Sequence, residues 1–257
     1  MNQEEQTRVS ETSHKRLRRY NFAMGLLHSA QGLAILALSN DFELPVHATF
    51  MKGQPGSSPP EIQHLFDLPI GPAVAAFLFI SAIAHFALVL PGVFGWYTRN
   101  LQRQRNDARW IEYSLSASFM IVLIAMLTGI GDVAALIALF GVNAAMIFFG
   151  LLQEHYARPG GSLLPFWLGC IAGAVPWIAI GIYFVSPGSA ANPPAFVYGI
   201  FFSLFLFFNV FALNMWLQYR RVGPWRNYLF GESAYILLSL TAKSALAWQV
   251  FASTLVE

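Results

Sequence analysis

The chain has 257 residues, of which 56% are hydrophobic and only 11% are charged, and its formal net charge is +2. A soluble domain of this length does not carry so many apolar side chains, so the composition excludes a soluble globular protein and indicates an integral membrane domain. The single cysteine, Cys170, excludes a disulfide framework.

Seven apolar stretches follow one another along the chain, each with about the 20 residues that an α-helix needs to span a bilayer. With short connections they take up almost the whole sequence. We therefore predict an all-α membrane protein in which residues 21-257 form one seven-transmembrane-helix bundle. The predicted spans cover residues 21–39, 69–93, 108–130, 133–155, 163–185, 196–218 and 232–254.

Residues 1-20 form a polar, basic tail ahead of the first span. The tail does not have the pattern of a signal peptide, because the apolar segment after it is too long for a cleaved one. Of the 15 lysines and arginines, 13 lie in the tail and in the connections on its side of the membrane, and only Lys52 lies on the other side. The positive-inside rule then places the N-terminus in the cytoplasm and the C-terminus outside the cell membrane.

The connection between the first two spans, about residues 40-69, is the one long loop, and we expect it to be extracellular. Its glycines and prolines argue against a helix. The stretch Val46–Met51 favours a β-strand that forms a hairpin with a neighbouring segment before Glu61. A loop of this length is either a functional or interfacial element or a solvated connector.

Lys243 lies in the middle of the seventh span, roughly 15 Å of helix from either end. Its side chain is too short to reach water, and a free ammonium at that depth would cost roughly 3 kcal/mol or more. The nitrogen must therefore be neutralised or used. A Schiff base to an aldehyde cofactor is a chemistry that uses it.

Glu112 is the only carboxylate well inside the third span. We expect the helix of that span to begin near Leu101, which would place Glu112 about three turns along it, at the depth of Lys243. A pair of these two residues is either the charge balance of a protonated imine or a structural buried salt bridge. Ser239, one turn before Lys243, lies on the same helix face and can form a hydrogen bond with the pair.

Two histidines, His28 in the first span and His85 in the second, fall in the cytoplasmic half near the depth of Glu112. They indicate either a polar, hydrated pocket that stores protons or two packing residues with hydrogen bonds. Asn143 and Asn209, in the fourth and sixth spans, are expected to form hydrogen bonds between helices.

Five stretches of the sequence together resemble the heliorhodopsins, the microbial-type rhodopsins with inverted membrane topology. The resemblance runs from the first span to the C-terminus and agrees with the orientation obtained from the loop charges. It implies a rhodopsin-like bundle. The matching stretches are Arg109–Ser116, Phe140–Ala144, Leu164–Gly173, Phe196–Gly199 and Leu238–Trp248.

The resemblance implies that Lys243 binds all-trans retinal, that Glu112 is the single counterion and that Ser239 is the neighbour of the Schiff base. It also implies that His28 and His85 form a proton-accepting cavity on the Schiff-base side. A conjugated polyene needs a dry slot with flat walls. We expect further contacts to retinal from Tyr113, Ser116, Met146, Trp167, Phe208 and Phe211.

Glu154, near the cytoplasmic end of the fourth span, either matches a family position or is an interfacial carboxylate near Arg158. On family grounds we expect a homodimer through the fourth and fifth spans and the long loop, which resembles the extracellular hairpin of family members. The step from Gly169 to Gly173 permits close helix approach, either in that dimer or within one bundle.

The expected function is that of a retinal photoreceptor with a sensory or regulatory role, without enzymatic activity and without net ion pumping. A pump needs a carboxylate acceptor and a donor on opposite sides of the imine. Leu123 stands where a typical pump places its donor, and Glu232 lies at the cytoplasmic mouth of the seventh span.

The alternatives are a light-gated or light-driven ion transporter and a retinal-free membrane scaffold. We expect the lipid bilayer and an unidentified cytoplasmic signalling protein as partners, and no nucleic acid.

Overall fold

The computed structural model describes residues 3–185 and 194–254, with side chains from residue 15 onward. In this part, seven helices are long and apolar enough to cross a membrane, which confirms the predicted bundle. After the first span, the observed bounds agree with the predicted ones to within about one helical turn. The elements are α1 (Gln3–Leu38), β1 (Glu43–Phe50), β2 (Glu61–Pro69), α2 (Ile70–Val89), α3 (Val93–Gln102), α4 (Asp107–Leu127), α5 (Val133–Tyr156), α6 (Leu164–Val185), α7 (Ala195–Tyr219), a 3-10 turn (Gly223–Arg226) and α8 (Tyr228–Thr254).

Helix α1 continues without a break through Tyr20, where the sequence analysis placed the end of the tail. The side chains of the first 14 tail residues lie outside the described part. Arg18 donates from Nε and Nη2 to the carbonyl oxygen of Val89, at 3.1 and 2.7 Å. Val89 is the last residue of α2, and the final carbonyls of a helix lack partners within it. Arg18 of α1 therefore caps the C-terminal end of α2.

The long loop forms the predicted β-hairpin, in which β1 and β2 pair antiparallel with a bulge between Val46 and His47. The strand bounds differ from the expected ones. Strand β1 begins at Glu43, and its partner begins at Glu61 instead of preceding it. Hydrogen bonds between the strands, rather than the propensity of Val46–Met51 alone, determine where each strand starts.

The hairpin is fastened to the connection between α4 and α5. The N–H of His47 donates to the carbonyl oxygen of Gly131 at 3.0 Å, and Thr49 Oγ1 donates to Asp132 Oδ2 at 3.3 Å. Strand β2 leads directly into α2 at Ile70. The hairpin thus joins the ends of α2, α4 and α5.

Helix α3 is a short helix between α2 and α4 that the sequence analysis does not predict. The expected start of the third span near Leu101 is wrong, because α4 begins at Asp107. Asn106 caps α4 by accepting the N–H of Arg109 at 3.1 Å. Just before it, Gln104 adopts a positive φ of 57°, which ends α3 and turns the chain.

Helix α4 is the most enclosed of the spans. It packs against α2 and α5 and reaches α6 and α7. The half of α4 nearer the hairpin belongs to an apolar core, in which Leu123 and Ile121 are buried. Helix α6 instead turns large apolar side chains such as Ile171 and Ile178 outward. Such a surface suits contact with lipid tails, which are as apolar as leucine.

Candidate functional site

Lys243 is buried at the centre of α8, and its Nζ donates to two acceptors. It lies 2.7 Å from Glu112 Oε1 and 2.9 Å from Ser239 Oγ. Ser239 lies one turn earlier on α8, so its hydroxyl is on the same face as the lysine. The fold therefore brings together the three residues that the sequence analysis grouped around the lysine nitrogen.

Glu112 is also bound from α2, by a residue that the sequence analysis missed. The buried Ser81 donates from Oγ to Glu112 Oε1 at 2.6 Å. The available signal was its position one turn before His85, on the same face of α2. Ser116 is buried one turn beyond Glu112 on α4.

An apolar slot begins at Lys243 and extends between α4, α5, α6, α7 and α8. The volume of the slot is about 130 Å³. The expected residues that line it are Tyr113, Met146, Phe208, Phe211, Ser239 and Lys243. The large lining residues that the sequence analysis missed are Trp110, Phe166, Met120, Met215 and Tyr235.

Trp167 does not line the slot, so its expected position is wrong. Its side chain is 53% exposed on the outside of the bundle. Phe166 takes the inward position instead, and the two rings meet edge to face with 5.0 Å between their centroids. Successive residues on a helix differ in direction by about 100°, so only one of the two can face inward. Ser116 is likewise not a lining residue of the slot; its side chain is enclosed on α4.

Glycines set the width of the slot. A Cβ at Gly150 would collide with the indole of Trp110, and a Cβ at Gly173 would collide with Sδ of Met146. At Gly169, a Cβ would lie 3.2 Å from Cβ of Phe149. The step from Gly169 to Gly173 therefore serves the packing of α6 on α5 within one bundle.

The two membrane histidines stack on each other with 5.6 Å between ring centroids. His85 Nδ1 lies 2.9 Å from Oδ1 of Asn21, a partner that the sequence analysis did not identify. His28 is fully buried, and neither of its ring nitrogens has a hydrogen-bond partner among the described residues. His85, Asn21, Glu112 and Ser239 line a small polar cavity of about 30 Å³, enough for about one or two water molecules.

A second group of buried charges lies one turn earlier on α4. Arg109 donates to Glu154 Oε1 and to Glu232 Oε2, and all three side chains are almost completely buried. Arg109, counted among the cations of the connections in the sequence analysis, lies inside α4. Glu154 is buried and pairs with Arg109, which argues against the alternative of an interfacial carboxylate near Arg158. Glu232 lies in the first turns of α8, at the expected end of the span, but its side chain is buried.

The oxygens of these two carboxylates have further donors. Trp110 donates from Nε1 to Glu154 Oε2 at 2.7 Å, and Asn106 donates from Nδ2 to Glu232 Oε1 at 2.5 Å. The guanidinium carbon of Arg109 lies 4.0 Å from the centroid of the Tyr235 ring. These donors offset part of the cost of burying the three charges, while Nε of Arg109 has no hydrogen-bond partner among the described residues.

The two asparagines behave differently. Asn143 donates from Nδ2 to Ser118 Oγ at 3.1 Å, which joins α5 to α4 as expected. Asn209 donates to the carbonyl oxygen of Phe205 in its own helix and is exposed, so its expected bond between helices is wrong.

A seven-helix bundle, a buried lysine on the last span that pairs with a carboxylate from the third, and an aromatic slot that starts at this lysine define a protein of the rhodopsin class. The chain belongs to the heliorhodopsin family, whose profile matches residues 17–255. This match confirms the resemblance found in the sequence motifs.

Solved structures support the same fold. The chain is similar to the transmembrane domain of the Salpingoeca rosetta rhodopsin phosphodiesterase, with a TM-score of 0.65 and 11% sequence identity over 98% of this chain and 89% of that one. At this identity the likeness concerns the fold alone. No curated protein matches the chain.

Proposed function

We propose that the protein is a light-absorbing photoreceptor in which all-trans retinal is bound to Lys243 through a protonated Schiff base. Membership of the heliorhodopsin family supports a retinal chromophore. The observation that carries the assignment is the position of Lys243 Nζ, 2.7 Å from Glu112 Oε1 and at the start of the aromatic slot. When bound, retinal supplies absorption of visible light and a double bond that isomerises.

Glu112 is the proposed single counterion. Glu154 and Glu232 both bind Arg109, so Glu112 is the carboxylate that remains to balance a positive charge at Lys243. Ser81 holds this carboxylate from α2 and keeps it oriented toward the nitrogen. A fixed anion at this distance stabilises the protonated form of the imine in a dry environment.

His85 and His28 are the proposed proton store. His85 lines the small polar cavity together with Glu112 and Ser239, and His28 stacks directly behind it. A proton released at Lys243 would therefore meet an imidazole on the side of α1 and α2, through one or two water molecules in this cavity.

A proton cycle of this kind would not move ions across the membrane. On the other side of Glu112, α4 is apolar from Phe119 to Leu127, and Leu123 lies in the apolar core. A carboxylate donor on this side of α4 is therefore missing from the described residues. We accordingly propose a sensory or regulatory role without net pumping and without catalysis. The word phosphodiesterase in the name of the similar structure describes that protein and not this chain.

The membrane orientation and the partners belong to the same proposal. Lysines and arginines concentrate at the end of the bundle that carries the α3–α4, α5–α6 and α7–α8 connections, which supports a cytoplasmic N-terminus. Strand β2 exposes the apolar side chains of Ile62 and Phe66. They support a homodimer that uses the hairpin, with an unidentified signalling protein at the cytoplasmic end.

Retinal reconstitution tests the covalent link. The purified protein mixed with all-trans retinal should develop a visible absorption band, and the Lys243→Ala variant should develop none, whereas Lys52→Ala should behave as the wild type. Reduction with borohydride followed by mass spectrometry should place a retinyl group on the peptide with Lys243. An adduct on another peptide, or no adduct, would overturn the proposal.

Replacement of the counterion tests the role of Glu112. Glu112→Gln keeps the size of the side chain but removes its charge, so the visible band should shift or disappear at neutral pH. Glu61→Gln, on the exposed hairpin, is the matched control and should leave the band in place. An unchanged spectrum of Glu112→Gln would rule out this carboxylate as the counterion.

Illuminated cell suspensions test the absence of pumping. We expect no sustained pH change of the medium, with or without an uncoupler, and no photocurrent in voltage-clamped cells. A sustained and uncoupler-sensitive pH change, or a steady light-induced current, would favour the ion transporter instead.

A further inference from the structure

A larger cavity opens at the end of the bundle where α4 and α8 begin. Its volume is about 700 Å³, and most of its lining side chains are polar. Its walls come from the α3–α4, α5–α6 and α7–α8 connections, and the retinal slot does not include these segments. The five arginines that line it are Arg103, Arg105, Arg158, Arg221 and Arg226.

The charge of this cavity is positive and unbalanced. Among the described residues, Glu154 is the one carboxylate that lines the cavity, and it is already bound by Arg109. His155 also lines the cavity, and its Nε2 lies 2.6 Å from Asp107 Oδ1. Among the residues that the structure describes, no ion pair joins any of the five arginines to a carboxylate. The positive-inside rule accounts for arginines in these connections, but it does not require three connections to place them around one concave surface.

Two of the guanidinium groups are held in place by the backbone. Arg105 donates from Nη2 to the carbonyl oxygen of His155 at 2.9 Å, and Arg226 donates from Nε to the carbonyl oxygen of Arg221 at 3.2 Å. A guanidinium has five N–H donors, so a group anchored by one of them can still donate to a ligand through the others. Such anchoring lowers the entropy lost when a ligand binds.

The cavity also has a rigid flat wall. Trp225 lines it, and the indole Nε1 of Trp225 donates to Asn214 Oδ1 at 2.7 Å, which fixes the plane of the ring. Tyr228 also lines the cavity, and its hydroxyl donates to Glu154 Oε1 at 3.2 Å. Both groups are therefore already oriented before a ligand enters.

We propose that this cavity binds a phosphate-bearing ligand, held by guanidinium groups from the three connections. The fork of an arginine matches two oxygens of a phosphate, whereas lysine offers only a point charge, and all five cations here are arginines. Five such charges exceed what one phosphate group can balance, so a ligand with two linked phosphates fits better than one with a single phosphate. Binding of this ligand does not depend on the retinal link, so the two proposals can fail independently.

Titration calorimetry of the full chain in phosphatidylcholine nanodiscs, with sodium pyrophosphate at constant ionic strength, tests the site. We expect saturable binding by the wild type. The Arg158→Gln/Arg221→Gln variant should bind about tenfold more weakly or worse, since charge-assisted hydrogen bonds are lost. Both residues are exposed, so the fold should persist, as unchanged helical circular dichroism would verify.

The matched control is the Arg99→Gln/Arg220→Gln variant. It removes the same charge from the same end of the bundle, but Arg99 and Arg220 are exposed and do not line the cavity. Its affinity for pyrophosphate should change less than about twofold, as expected of exposed, screened charges that do not face the cavity. An equal loss in both double variants would show diffuse attraction to a basic surface and overturn the proposal, and so would an absence of saturable binding by the wild type.

Nanodiscs that contain phosphatidic acid identify the source of the phosphate. If a lipid headgroup is the natural ligand, phosphatidic acid should compete with pyrophosphate for the wild type and have no further effect on Arg158→Gln/Arg221→Gln. If the ligand is soluble, the affinity of the wild type for pyrophosphate should be the same in both kinds of disc. Each result supports a phosphate site, because in each the binding depends on the cavity arginines.

Discussion

Two groups of buried charges lie one turn apart on α4, and they are constructed differently. In the first, Arg109 lies between Glu154 and Glu232, whose oxygens accept further hydrogen bonds from Trp110 and Asn106. In the second, Lys243 has one carboxylate, and the apolar slot starts beside its nitrogen. The difference teaches that burial of charge does not by itself mark a reactive site. The reactive candidate is the cation beside the aromatic slot, while Arg109 is held between two carboxylates.

The largest expected effect comes from removing the cation of the Arg109 group. Arg109→Leu would leave two carboxylates buried without a cation and should lower the free energy of unfolding by about 3–5 kcal/mol, with or without retinal. Thermal unfolding followed by circular dichroism measures this loss. Arg99→Leu, at an exposed site on α3, should change stability by less than about 0.5 kcal/mol.

A triple variant distinguishes the cost of burying carboxylates without a cation from a loss of packing. Arg109→Leu/Glu154→Gln/Glu232→Gln removes the whole charge group and should recover most of the stability. If the triple variant is as unstable as Arg109→Leu, the Arg109 group matters through its shape and not through its charges.

A smaller effect is expected where the wall of the slot contacts the Arg109 group. Gly150→Ala would press on the Trp110 indole, which donates to Glu154, and should cost about 1–3 kcal/mol and slow the uptake of retinal. Gly141→Ala is the matched control on the same helix, because a Cβ there meets no atom within 4 Å. It should be neutral or stabilise the helix by up to about 1 kcal/mol. Equal behaviour of the two variants in thermal unfolding and retinal uptake would contradict the assigned wall.

The smallest effect is expected at the support of the proposed counterion. Ser81→Ala removes one hydrogen bond to Glu112 while the bond to Lys243 remains, so stability should fall by about 1–1.5 kcal/mol and the retinal band should shift. Ser114→Ala, whose hydroxyl donates to the carbonyl oxygen of Ile111 in its own helix, should not move the band. The two spectra, recorded in the same lipid, decide whether Ser81 acts on the charge at Lys243.

Much of the fold could be predicted because the membrane imposes it. Apolar length alone gave the seven spans, and the glycines and prolines of the long loop pointed away from a helix and toward a hairpin. Helix α3 lacks such a signal, since it has only ten residues and is too short to span a membrane. Its boundary with α4 depends on the cap by Asn106 and on the positive φ of Gln104, which only the folded chain determines.

The central residues of the site could be predicted, but their geometry could not. Lys243 and Glu112 could be matched because each is a charged residue well inside an apolar span, although the count of turns began at Leu101 and α4 begins at Asp107. The choice of Phe166 over Trp167 depends on the rotation of α6, which two adjacent aromatic residues do not reveal. Arg109, Glu154 and Glu232 lie close to the ends of their spans, so each alone has the pattern of an interfacial residue; their mutual burial arises only from packing of three helices.

The fastening of the hairpin constrains how the bundle can move. Backbone and side-chain bonds from β1 to Gly131 and Asp132, together with the direct passage of β2 into Ile70, tie the ends of α2, α4 and α5 together at one end of the bundle. Because these three helix ends are linked to one another, the helices can tilt mainly by rotation about the hairpin end. Under the proposed function, a helix displacement that begins at Lys243 would therefore increase with distance from the hairpin and be largest at the opposite, arginine-rich end, where the proposed signalling protein would bind.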